Sequence, residues 1–290
     1  MRNALTIDVE EYFHPSEVQH YVRPEQWPEL PSRVVGQTRQ ILDLLAEQQT
    51  KATFFVLGWV AERLPTLIRS IAEAGHEIGC HSYAHQLVYQ LTPKEFRQDT
   101  IRAVRAIQDC CGVLPRLYRA PSYSITRESL WALDILVECG FTHDSSIYPI
   151  SHDRYGIPGF QRHAHMVSTA SGPIREIPIA SFQDSRGRAV PMGGGGYLRL
   201  LPYCYTAAGI RRVNQVEQKP VCIYFHPWEV DPAQPKLASG LIARVRTYTG
   251  LEGMKRKIER MLADFEFSTL TSIYGDGAAP TTPTGAFAEA

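Results

Sequence analysis

An α/β fold built around a parallel sheet or barrel is predicted by three features of this sequence. Short apolar runs rich in β-branched residues alternate with amphipathic helical stretches through the first half. Polar clusters follow the apolar runs, where such folds present functional groups. The 290 residues, 44% hydrophobic and 21% charged, suffice for one large core. Thirty basic residues balance thirty acidic ones, so no global field gathers nucleic acid or an anionic surface. No run approaches the roughly 18 apolar residues of a spanning helix. The opening MRNALTIDVE lacks the apolar stretch of a signal peptide, and a cytoplasmic protein is expected. The six cysteines show no C-x-x-C spacing and are expected to be reduced, mostly buried thiols.

Ala4 to Ile7 reads as the first strand. Residues 32–48 follow as a helix, with Val34, Val35, Thr38, Ile41, Leu42 and Leu45 on one face. Thr53 to Val56 is a second strand, Val60 to Ala74 a helix ended by Gly75, and Glu77 to Gly79 a third strand. Thr92, Pro93 and Glu95 combine a capping hydroxyl, a first-turn proline and a glutamate three residues on, opening a helix to about Cys110. Leu117 to Arg119 is a strand, Arg127 to Cys139 a helix, and Phe141 to His143 a fifth strand. From about Pro149 to Lys219 an elaborated loop region with short strands such as Ile174 to Ile177 is expected. Val221 to Phe225 reads as a buried strand, and Ser239 to Phe265 as helices broken near Gly250 and Gly253. The Gly-, Ala-, Pro- and Thr-rich tail, 276–290, is expected to be disordered. Residues 1–275 form a single domain in this reading.

Five polar clusters end five of these strands. Asp8, Glu10 and Glu11 follow the first; strand alternation puts Asp8 and Glu10 on one face and turns Glu11 away. His81 and His85 follow the third, spaced so that both imidazoles can face one metal ion. Arg119, Pro121 and Tyr123 follow the fourth, with a guanidinium able to hold a carboxylate bidentately. Asp144 follows the fifth, and His226, Pro227, Trp228 and Glu229 end the late strand. Taken singly, each has an ordinary structural explanation: a solvated strand end, surface histidines, a packing turn, a helix cap, a half-buried histidine. In one sheet or barrel all five converge on one rim, which is the stronger observation. Tyr12, Phe13, Tyr123, Tyr197 and Trp228 are candidates for stacking against a bound molecule or for plain packing, and Gly193 to Gly196 for close approach of backbone to it. Histidines 14, 20, 76, 143, 152, 163 and 165 receive no chemical role.

The ordered motifs T-I-D-V-E, H-S-Y-A-H, R-A-P-S-Y, D-S-S and F-H-P-W-E resemble those of the polysaccharide deacetylase family with its NodB homology domain, over residues 4–230. G-G-G-G-Y-L-R-L-L-P, F-H-P-W-E and the helical extension at 236–274 resemble the subgroup of exosortase-linked (PEP-CTERM) exopolysaccharide loci. The resemblance implies a distorted (β/α) barrel holding a divalent metal, usually zinc, and removing N-acetyl groups from amino sugars. By position it implies Asp8 as base, His81 and His85 as ligands, Arg119 orienting the base, His226 as general acid and Asp144 tuning that acid. The family's adjacent aspartates are here Asp8-Val9-Glu10, so Glu10 is the expected third ligand and Glu11 the alternative. A backbone N–H near Tyr123 is expected to meet the oxyanion, with Pro121, Tyr123, Tyr197 and Trp228 contacting substrate. The implied partner is an N-acetylated glycan or a lipid- or nucleotide-linked sugar precursor, with possible association with exopolysaccharide assembly machinery. A metal amidohydrolase for a small non-sugar amide, a metal-free glycosidase and an inactive carbohydrate-binding scaffold are the competing readings.

Overall fold

The computed structural model describes residues 1–275, so the 276–290 tail lies outside the described residues. Its frame is a nine-stranded sheet in the order β10-β1-β2-β3-β4-β5-β7-β6. These strands are β1 (Asn3–Val9), β2 (Thr53–Val56), β3 (Glu77–Cys80), β4 (Leu117–Tyr118), β5 (His143–Asp144), β6 (His165–Thr169), β7 (Gly172–Glu176) and β10 (Cys222–Phe225). A short β11 (Phe267–Ser268) joins the start of β1, and β8 (Ser181–Gln183) pairs with β9 (Ala189–Pro191) as a separate hairpin. All pairings of the large sheet are parallel except β6 with β7, giving the expected distorted β/α barrel. A parallel sheet sends every strand's C-terminal end to one edge, which places Asp8, His81, Arg119, Asp144 and His226 along the same rim.

The helices cover the sheet: α1 (Ser16–Gln19), α2 (Val34–Glu47), α3 (Gly58–Arg63), α4 (Pro65–Glu73), α5 (Pro93–Cys111), α6 (Trp131–Glu138), α7 (Gly195–Leu200), α8 (Tyr203–Gln215), α9 (Leu241–Tyr248), α10 (Leu251–Asp264) and α11 (Leu270–Tyr274). The start of α5 is a capping box: Glu95 N–H donates to Thr92 Oγ1, and Thr92 N–H to the Glu95 carboxylate at 2.8 Å. β1 is buried along its whole length, with Ala4, Leu5, Ile7 and Val9 in the core.

Several expectations are corrected. The helix read across 60–74 is two, because Pro65 cannot donate back into the preceding turn. The loop region contains a thirteen-residue helix, α8. α9 and α10 are broken at Gly250, whose φ is +84°, while Gly253 lies inside α10. Gly194 has φ +123°, and a Cβ there would meet Tyr224 O at 2.2 Å; a Cβ on Gly193 would meet Ala180 at 2.4 Å. The glycine run therefore packs α7 onto β10, and only Gly196 reaches the cavity described below. All six cysteines are free, four of them buried and Cys204 exposed.

Candidate active site

The rim surrounds a cavity of about 300 Å³ lined by Asp8, Glu10, His81, His85, Tyr123, Tyr197, His226 and Trp228 among others. β1 is still extended at Asp8, so alternation aims Asp8 and Glu10 the same way. Glu11 faces α2, where its carboxylate takes Ser32 Oγ, the Arg33 N–H at 3.0 Å and the Val34 N–H at 3.3 Å. Glu11 is thus a helix-capping anion, and the alternative of Glu11 as a ligand is closed by its contacts.

Ligand atoms of Glu10, His81 and His85 lie within 4.8 Å of one another, all three residues buried. Glu10 Oε2 is 2.9 Å from His85 Nε2 yet has no hydrogen-bond partner. Burial alone would raise the Glu10 carboxyl; His85, His226 and His81 instead hold it well below the usual carboxylate range. His81 Nδ1 is 2.8 Å from Arg119 O, and His85 Nδ1 is 3.1 Å from Gln19 Nε2, so each ring has its Nε2 available toward the triad. Two buried imidazoles and a buried carboxylate, one oxygen of which lacks a donor, fit a divalent cation.

Arg119 is fully buried. Its Nη1 donates to Asp8 Oδ1 at 2.8 Å and to Thr6 Oγ1 at 2.7 Å, its Nη2 to Ser145 Oγ at 2.9 Å, and its Nε to Ser145 O at 3.2 Å. The expected bidentate clasp is therefore a single bond to Asp8, because the other donors are taken by Ser145 and Thr6. Asp8 Oδ2 remains open to the cavity side, 3.9 Å from His226 Nε2.

His226 Nε2 also stands 3.4 Å from Glu10 Oε1, and its ring stacks on Trp228 at 5.1 Å. Burial would lower this imidazole, but Glu10, Glu229 and Asp8 overcome it and lift it to about 9. The Asp144 assignment is corrected. The carboxylate on His226 Nδ1 is Glu229, at 3.0 Å, itself held by Arg199 at 2.9 Å. Asp144 sits opposite Glu176 in register on β5 and β7 and accepts from Ser146 Oγ. Burial pushes both carboxyls up, and the neighbouring Asp144 charge pushes Glu176 further. Glu229 lies inside the F-H-P-W-E motif, so its position three residues after His226 was a readable signal; Arg199 and Gln19 carried none.

The aromatic expectations divide. Tyr123 and Tyr197 line the cavity; Trp228 does too, but its indole N–H donates to Glu10 Oε1 at 3.0 Å. Tyr12 and Phe13 are buried with Val18, Trp27 and Leu251, away from the cavity. Pro121 is buried in a 3-10 turn, and the Tyr123 N–H donates to Ala120 O at 3.1 Å, so that amide is already engaged. Ser82, His85, Ser122 and Tyr123 have φ between 51° and 68°, and backbone strain of this kind gathers at functional loops. His14, given no role above, lies fully buried behind the site, its ring parallel to His85 at 6.4 Å.

Residues 30–142 match the polysaccharide deacetylase family, and residues 145–275 match a domain of unknown function, DUF3473. The chain is 36% identical over 98 residues to a peptidoglycan-N-acetylglucosamine deacetylase of Bacillus cereus, covering 33% of this chain and 36% of that protein. It is 37% identical over 149 residues to a chitooligosaccharide deacetylase of Bradyrhizobium, covering 51% of this chain and 64% of that one. The chain thus spans from about one third to just under two thirds of these relatives. A solved structure from Mycobacterium smegmatis assigned to the polysaccharide deacetylases superposes with TM-score 0.63 at 21% identity, over 97% of this chain and 92% of that one. The sequence matches and the shared fold agree with the motif order along the rim: residues 30–142 of this chain match the polysaccharide deacetylase family, and the chain as a whole shares the fold of a solved structure assigned to it.

Proposed function

We propose that the chain is a metal-dependent carbohydrate N-deacetylase, hydrolysing the acetamide of an N-acetylated amino sugar. The observation that carries this is the placement of Asp8 and His226 together beside the Glu10, His81 and His85 triad in one cavity. Amide hydrolysis needs a base for the water and an acid for the departing amine. The names of the relatives, both deacetylases of N-acetylglucosamine-containing glycans, support a sugar substrate.

A divalent ion held by Glu10, His81 and His85, zinc in this proposal, supplies Lewis acidity toward the amide carbonyl and the attacking water. Asp8 takes the water's proton on Oδ2, since Arg119 occupies Oδ1. His226, protonated and held through Nδ1 by Glu229, gives its Nε2 proton to the sugar nitrogen as the C–N bond breaks. Tyr123 and Tyr197 offer ring faces to the sugar. Arg119 keeps Asp8 in place from a fully buried position, without touching substrate.

The role extends to exopolysaccharide biosynthesis, with a lipid- or nucleotide-linked repeat unit modified in the cytoplasm before export and the chain associated with the assembly machinery. Support for this part comes from the likeness of residues 193–202, 225–229 and the helical extension at 236–274 to the exosortase-linked subgroup. The test is acetate release from N-acetylated oligosaccharides by the zinc-loaded and the chelated protein. Release that depends on metal and disappears in Asp8→Asn and His226→Ala is expected; stoichiometric metal with glycan binding but no acetate from any substrate would make the chain a scaffold.

A further inference from the structure

Ten large hydrophobic residues are exposed among those described; three of them, Leu241, Ile242 and Val245, lie on α9, while Leu200 lines the cavity and Tyr21 meets the residue before α9. Leu241 and Ile242 are 78% and 69% exposed. A helix advances 100° per residue, so Leu241, Val245 and Ile242 of α9 fall within an arc of about 100°. The opposite side of α9 is occupied: Thr247 is buried, and Arg246 and Thr247 line the cavity. Tyr21 Oη accepts the Gly240 N–H at 3.0 Å, tying the segment after α1 to the start of α9, and Arg246 reaches Asp153 at 3.3 Å across the mouth. The apolar arc is therefore held on a fixed frame and runs into the wall of the cavity.

Of the cations on and around α9, Arg246 pairs with Asp153, Lys255 with Glu259, and Lys257 donates to the carbonyls of Leu198, Arg199 and Leu201, whereas Lys236, Arg244 and Arg256 make no ion pair among the described residues, in a chain whose total charge is zero. On α9 the arginines flank the apolar arc, Arg244 on one side and Arg246 on the other. An apolar face bordered by cations matches the interface of a bilayer containing anionic lipid, where apolar side chains enter the acyl boundary and cations stay among the phosphates. A second copy of this chain, whose own α9 carries the same cations, would satisfy the apolar arc but not the positive charge. None of the described helices is long and apolar enough to cross a membrane, so the contact is peripheral.

We propose that α9 docks the chain on an anionic lipid surface, with the cavity mouth turned to the headgroup layer. This goes beyond the deacetylase reading and does not depend on it; where both hold, the docked orientation favours a sugar joined to lipid over a free polymer. The test is co-sedimentation of the full chain with vesicles of phosphatidylcholine plus phosphatidylglycerol, against phosphatidylcholine alone. Binding to the mixed vesicles is expected, weaker to phosphatidylcholine and weakened by salt. The double variant Leu241→Ser, Ile242→Ser should lose at least about tenfold in partitioning, and Arg244→Gln roughly fivefold. Both should keep the wild-type thermal melt, since these side chains are exposed. Absence of binding to either vesicle, or equal binding by the double variant, would overturn the proposal. So would a dimer in solution abolished by Ile242→Ser without vesicle binding, which would assign the arc to a second copy of the chain.

Discussion

Glu229 Oε2 stands 3.0 Å from both the Nδ1 and the main-chain N of His226. Its other oxygen accepts from Arg199 Nε at 2.9 Å. Fixing Nδ1 in this way turns Nε2 toward Asp8 and Glu10, the side from which the leaving amine of the proposed reaction would be protonated. Arg199 in turn is fastened by the carbonyls of Arg246 and Thr249, so the C-terminal segment that ends the cavity wall also sets the angle of this imidazole.

The first prediction separates Glu229 from Asp144. A carboxylate beside an imidazole favours its charged form, so Glu229→Gln lowers the pKa of His226, and the alkaline limb of kcat moves to lower pH by roughly one unit or more. Asp144→Asn, which alters a carboxyl facing Glu176, should leave that limb in place. Profiles of kcat against pH decide it: a limb moved by Asp144→Asn and not by Glu229→Gln reverses the two roles.

Glu10→Ala and Glu11→Ala should fail in different ways. Removing Glu10 takes away an oxygen that has no hydrogen-bond donor and faces the two imidazoles, so metal content falls while the melt of the chelated protein changes little. Removing Glu11 uncaps α2 and costs about 1 to 2 kcal/mol, with metal retained. Metal quantification and melting of both variants check this, and loss of metal in Glu11→Ala alone would point to the wrong carboxylate.

Trp228→Phe keeps a ring against His226 and deletes the N–H that donates to Glu10 Oε1. Outer hydrogen bonds of this kind commonly carry 10- to 100-fold in metal affinity. Competition with a chelator should show a loss of about that size, with most activity returning at saturating metal. An unchanged affinity would leave Trp228 as a stacking surface only.

What the sequence made legible was whatever depends on short-range periodicity and on strand ends. The 53–56 strand, the capped start of α5 and the shared face of Asp8 and Glu10 follow from alternation and capping within a few residues. Contacts that depend on chain pairs far apart were out of reach. Arg199 meets Glu229 thirty residues on, and Asp144 pairs with Glu176 only because β5 and β7 align in register. α8 was read as loop because its run from Tyr203 mixes small, aromatic and polar residues, and packing rather than propensity makes it helical. His14 was passed over since nothing local marks it; its burial comes from Phe13, Trp27 and Trp59 closing around it.

His14 supplies the last prediction, on acid stability. Its Nδ1 accepts the Glu11 N–H at 3.0 Å, so the neutral ring carries its proton on Nε2, which has no partner. Burial among aromatic rings pushes its pKa down to about 3, against a smaller opposing pull from Glu10. The unfolded chain protonates this histidine near 6.5, whereas the folded chain resists until about 3. Between those values the unfolded state binds the extra proton, so stability is complete above about pH 6.5 and drains away as pH falls. The slope is at most about 1.4 kcal/mol per pH unit from this one residue. His14→Asn retains an acceptor near the Nδ1 position but cannot titrate. It should be less stable than wild type at pH 7 yet lose stability less steeply between pH 6.5 and 4. Urea unfolding of both chelated proteins across that range is the measurement, with chelation removing any protection by bound metal. Parallel curves would mean that His14 is protonated in the folded protein or that its cost is met elsewhere, and the buried neutral ring behind His85 would have to be abandoned.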